Sequence, residues 1–225
     1  MTIASLAASF LAASFAFSAL ANDQFCSDDI CKKLEKQYFK KEYDKIVSAV
    51  DPKERYSEGS IFYIGMSYTI LAEKSSSLQA RDKLYRDAIA VKYYPAYMSL
   101  YNLYREKNPE TAMVFVNEYV KTNPSDSAPF LVLGEAQFNK KNYSEADKYL
   151  RKARKLSKGH TSEIDWLLFK ANYILGNYAF ASKMFESAIA QSRFTEEIRA
   201  IKSDPGFVGI ESRPEFKQYA RLFAK

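Results

Sequence analysis

The chain has 225 residues, with 33 Lys and Arg against 27 Asp and Glu, a formal charge of +6, and a single His. One His removes most general-base and zinc-site schemes, and no nucleophile–base motif or Gly-rich phosphate loop stands beside it. Seven Gly and seven Pro against 17 Tyr and 16 Phe predict a helical, aromatic-packed protein without low-complexity linkers.

Residues 1–21 carry no charged side chain and end in Ala19-Leu20-Ala21 before Asn22-Asp23. An apolar stretch closed by a small-x-small site predicts a secretory signal peptide. Its Ala and Ser content resembles bacterial signals, which implies a periplasmic or secreted mature protein starting at Asn22. The rival reading is an uncleaved membrane anchor, since about 20 apolar residues span a bilayer. Asn22 stands where a lipoprotein needs Cys, which argues against a lipid anchor. Cys26 and Cys31 follow, and they are the only cysteines. An isolated pair in an oxidising compartment reads as a disulfide. Its short ring predicts a local staple at the start of the first helix. Two Cys and the distant His160 make no four-ligand metal site.

Residues 27–57 keep Leu34, Tyr38, Glu42-Tyr43 and Ile46 as helical landmarks. In 58–92, Ile61, Ile64-Gly65 and Tyr68 mark one helix; Ser75-Ser76-Ser77 lengthens a turn before a second helix with Ala80, Leu84 and Ala88. In 93–126, Asn108-Pro109 predicts a capped helix start, followed by Ala112, Val116 and Tyr119. The segments 127–160 and 162–195 are the clearest: Tyr143, Ala146, Leu150 and Ala153 recur as Tyr178, Ala181, Phe185 and Ala188, each 35 positions on. Gly134 and Ala146 predict a close approach of two helices. Phe169 stands where a small residue belongs, which predicts a shifted or splayed pair. Ser162 with Asp165 resembles a capping box.

A helix–turn–helix period of about 34 residues, with Leu133-Gly134, Phe138, Ala146, Leu150 and Ala153 at their spacings, resembles the tetratricopeptide repeat. The tail 199–225, with Asp204-Pro205-Gly206-Phe207 and Arg213-Pro214-Glu215-Phe216, resembles the element that closes many bacterial arrays of this kind. The resemblance implies an all-α, right-handed solenoid over 22–198, capped by helices over 199–225, and a non-catalytic scaffold for a protein or peptide partner. It places Phe62, Met66, Tyr97, Tyr101, Tyr104, Leu131, Glu135, Trp166, Lys170 and Tyr173 on the inner face. Phe62, Tyr97, Leu131 and Trp166 occupy the positions of the Lys clamp that chaperone-binding members use, so that activity is not expected.

A second candidate surface is a basic block: Lys140, Lys141, Lys148, Arg151, Lys152, Arg154, Lys155 and Lys158, offset by Glu145 and Asp147. It suits an anionic envelope surface or polymer; no motif supports nucleic acid. The acidic pairs Asp28-Asp29 and Glu196-Glu197 read as solvated surface. No cofactor is expected, and an enzyme with an unmarked pocket is the weakest reading.

Overall fold

The computed structural model describes residues 25, 26, 28–51, 53–159, 161–191 and 194–223. The expected signal segment 1–21 and His160 lie outside the described residues. Among the described residues the structure is helical throughout, without strands. None of its helices is long and apolar enough to cross a membrane.

The helices are α1 (Asp29–Phe39), α2 (Tyr43–Ser48), α3 (Glu58–Lys74), α4 (Leu78–Ala90), α5 (Ala96–Tyr104) and α6 (Pro109–Thr122). They continue with α7 (Ala128–Asn139), α8 (Tyr143–Leu156), α9 (Ser162–Ile174), α10 (Tyr178–Gln191) and α11 (Thr195–Ser203). Three short 3-10 turns over Pro205–Phe207, Ile210–Ser212 and Pro214–Tyr219 lead into α12 (Ala220–Phe223). The tail therefore holds turns where full helices were expected at both Pro positions. Asp204 still caps the first, accepting from the Gly206 amide at 2.8 Å.

Side-chain caps set several helix starts. Asp28 accepts from the Cys31 amide at 2.7 Å, and Asn108 from the Thr111 amide at 3.0 Å with Pro109 at the first turn. Each satisfies an amide that the first turn of a helix leaves unbonded. The start of α9 differs from the expected capping box. Thr161 is its cap residue, and no side chain accepts there.

The turns between α1 and α2, α7 and α8, and α9 and α10 share one geometry. Lys41, Lys141 and Gly176 have φ of 60°, 62° and 81°. At each, the left-handed residue donates its amide three residues back: Lys41 to Tyr38, Lys141 to Phe138, Gly176 to Tyr173. The next amide reaches five back, Glu42 to Gln37, Asn142 to Gln137 and Asn177 to Asn172. This is the left-handed helix terminus that satisfies the last free carbonyls. An aromatic pair clasps each turn edge-on: Tyr38–Tyr43, Phe138–Tyr143 and Tyr173–Tyr178, with centroids 5.4, 5.2 and 5.2 Å apart.

The residues fall into two compact units, divided after Asn123. In the first, α1 and α2 pack on α3, α3 on α4, α4 on α5 and α5 on α6. Its core joins Cys31, Leu34, Ile46, Tyr63, Ile64, Tyr85, Leu100 and Phe115. In the second, α7 packs on α8, α8 on α9 and α9 on α10, and the tail packs on α9 and α10. Gly134 makes the α7–α8 contact, because a Cβ there would lie 2.6 Å from Leu150 Cγ. Phe169 does not splay α9 from α10, which pack as closely as α7 and α8. Its ring is wholly buried, 5.0 Å from Phe185 and 5.8 Å from Phe216. Tail aromatics fill the space that a small residue would leave empty.

Candidate functional site

The candidate binding residues divide by unit. In the first, Phe62 and Met66 lie one turn apart on α3, and Tyr97, Tyr101 and Tyr104 form one stripe of α5, as the helical period requires. All five are half-buried, so each presents part of a ring or thioether while the rest packs. Phe62 meets the edge of Phe25, centroids 5.5 Å apart. Met66 sulfur accepts from the Tyr93 hydroxyl at 3.0 Å. Tyr97 is stacked with Tyr94 at 6.4 Å and tilted against Tyr119 at 6.3 Å.

Tyr104 is fixed more firmly. Its hydroxyl donates to Asp82 Oδ1 at 3.0 Å, while Arg86 Nε holds Asp82 Oδ2 at 2.7 Å. The Arg86 guanidinium also sits over the Phe115 ring at 5.5 Å. Burial raises the pKa of Tyr97 and Tyr104, with the Asp82 hydrogen bond adding to the rise at Tyr104. Both therefore stay neutral donors at physiological pH. Arg86, Ile89, Ala90, Tyr97, Leu100 and Phe115 line a shallow depression of about 270 Å³. Its floor is apolar and its one charge is already paired.

In the second unit the expected face is mostly covered. Leu131 is half-buried and Glu135 exposed, but Trp166 and Tyr173 are 5% and 4% exposed. Trp166 lies flat under Phe194 at 4.7 Å, and Tyr173 under Phe207 at 4.9 Å. Trp166 and Tyr173 are thus core residues beneath the C-terminal segment, a correction to the open face expected of them. Lys170 lies over the Phe138 ring at 4.8 Å. Desolvation lowers its pKa, against the opposing charges of Glu135, Asp204 and Glu197.

The basic block is also less available than its sequence implies. Lys148 pairs with Glu145 at 2.5 Å, and Arg151 pairs with Asp147 at 2.7 Å while covering Phe180 at 4.0 Å. Lys152 sits over Phe130 at 4.0 Å. Arg154 reaches a third acid, Asp165, at 2.5 Å. Lys155 is exposed and shows no ion pair among the described residues.

A polar ladder along α9 went unnoticed in the sequence. Asp165 is fully buried and accepts from Arg154, from Thr161 Oγ1 at 2.8 Å and from Ser187 Oγ at 2.6 Å. Two turns on, buried Asn172 donates to Asp147 Oδ1 at 2.6 Å and accepts from Asn177 at 3.1 Å. The ladder ties α8, α9 and α10 through satisfied polar groups, as burial demands. The seven-residue spacing of Asp165 and Asn172, which puts both on one face of a helix rich in buried apolar residues, was the available signal.

Cys26 and Cys31 are bonded, with Cα atoms 5.2 Å apart. Among the described residues no group of three or more His, Cys, Asp or Glu is placed to hold a metal ion. No protein-family model matches this chain, and no curated protein matches it.

Proposed function

We propose that this protein is a non-catalytic helical-repeat scaffold of the tetratricopeptide type, exported, which docks a protein or peptide through the aromatic stripe of its first unit. The observation that carries this reading is the set Phe62, Met66, Tyr97, Tyr101 and Tyr104, all half-buried on the neighbouring helices α3 and α5. Rigid, partly exposed tyrosines suit docking, because they bring large contact area and a hydroxyl at little entropic cost. The recurring left-handed turns and the helix-to-helix packing support a repeat architecture. The Cys26–Cys31 bond supports an oxidising compartment.

An anionic surface is the weaker reading, since three of the four basic residues Lys148, Arg151, Lys152 and Lys155 are engaged within the unit. The test is a crosslinking pull-down of partners with mature protein, repeated with variants. Tyr101→Ala is expected to weaken capture by about 1–3 kcal/mol with helix content unchanged, and Lys152→Glu with Lys155→Glu to change it little at physiological salt. Binding lost on charge reversal and indifferent to Tyr101→Ala overturns the proposal.

A further inference from the structure

The geometry points to the Cys26–Cys31 disulfide as a redox-operated latch: reduction by a dithiol frees Phe25 from the first turns of α3 and uncovers Phe62 and Tyr63. Three observations meet here. The bond is built into the core, with Cys31 fully buried and Cys26 only partly so. The backbone of α3 comes up against it at Gly59, where a Cβ would lie 2.5 Å from the Phe25 carbonyl oxygen and 2.6 Å from Cys31 Sγ. The Phe25 ring then packs edge-on to Phe62 at 5.5 Å and Tyr63 at 6.2 Å.

The base of the latch is anchored without the bond. Helix α1 is held by its Asp28 cap, by buried Leu34, by Tyr38 against Tyr63, and by the Tyr63 hydroxyl donating to Glu35 at 2.7 Å. Phe25 precedes that helix, and the six-residue ring is what ties it down. Opening the ring therefore loosens Phe25 and leaves α1 on α3.

The exchange balances as an ordinary thiol–disulfide reaction. A thiolate of the dithiol attacks the Sγ of Cys26, the less buried of the two cysteines, and the Cys31 sulfur departs and takes a proton. The second thiol of the reductant then displaces Cys26 from the mixed disulfide. Two electrons pass to the protein, both cysteines end as thiols, and the reductant ends as a disulfide. The latch does not depend on what docks at Phe62.

Limited proteolysis with chymotrypsin on the full chain tests it, following cleavage after Phe25 in oxidised and dithiothreitol-reduced protein. The expected result is cleavage at Phe25 at least 10-fold faster on reduction, with cleavage elsewhere and far-ultraviolet circular dichroism unchanged. Cys26→Ser, which keeps Cys31 in the core, should match the reduced protein without any reductant. Oxidised Phe25→Ala should bind an apolar dye as strongly as reduced wild type. Equal cleavage in both redox states overturns the latch, as does cleavage that spreads over the whole first unit, which would make the bond a determinant of the fold.

Discussion

Lys41 and Lys141 sit in a backbone conformation that L side chains adopt at a cost, while Gly176 fills the same place in a third turn at none. The hydrogen-bond pattern is shared by all three, so the geometry is imposed by the turn and tolerated by the lysines. Lys141→Gly is accordingly expected to raise stability by about 0.5–1 kcal/mol, the relief of left-handed strain less the added freedom of the unfolded chain. Urea unfolding of the variant would show a higher midpoint at unchanged slope; a lower midpoint would mean that Lys141 makes contacts worth more than the strain. At this scale the sequence is only partly legible. Gly134 announces its close contact, because only a residue without a side chain fits beside Leu150. A left-handed Lys announces nothing by its type. The recurring mark is the aromatic residue five positions before a Tyr, which the turns at 38–43, 138–143 and 173–178 share.

Helix α9 shows how an element takes its role from what covers it. The repeat resemblance reads it as a helix with Trp166, Lys170 and Tyr173 turned to the inner face. Phe194, just before α11, and Phe207 of the tail close that face, and Phe216 of the tail packs against Phe169 and Phe185. The two tail aromatics were visible in the Asp-Pro-x-Phe and Arg-Pro-x-Phe segments; the surface they cover was not, because helical periodicity reports a face and not its occupant. The adjoining face of α9 carries the polar ladder. Asp165→Ala would leave Arg154, Thr161 and Ser187 without their shared acceptor. The loss is expected near 3 kcal/mol, the lower end for a broken buried pair, because the Arg154 side chain is 42% exposed and regains water. Asp165→Asn keeps the shape and part of the hydrogen bonding, and should lose less. Denaturant titration of both variants checks the order; equal losses would mean that the charge, which both variants remove, sets the whole cost and the shape and hydrogen bonds that Asn keeps contribute nothing.

Over the whole molecule, the net charge of +6 overstates what the surface offers a partner. Ion pairs such as Lys83–Asp87, Arg86–Asp82 and Lys148–Glu145 join neighbouring turns of single helices, and exposed pairs of this kind contribute little to stability. The two units also differ in their tyrosines, 12 of the 17 lying in the first.

In the first unit, burial raises the pKa of Tyr63, Tyr85 and Tyr93; the Glu35 hydrogen bond adds to the rise at Tyr63, and Arg81 opposes it at Tyr85. In the second, burial raises Tyr173 and Tyr219, but Arg213 opposes the rise at Tyr173. A tyrosine whose folded-state pKa is raised keeps its proton longer than the unfolded chain does. Its contribution to stability is complete below about pH 10, the ordinary Tyr value, and falls as pH climbs beyond it. The first unit, with more such groups deep in its core, is expected to unfold at lower alkaline pH than the second. Trp166 is the single tryptophan and lies in the second unit, so its fluorescence reports that unit alone. Titration upward from pH 9 should show helix loss by circular dichroism before the Trp166 emission shifts. Coincident transitions, or emission that shifts first, would sink this ordering and place the alkaline weakness outside the buried tyrosines of the first unit.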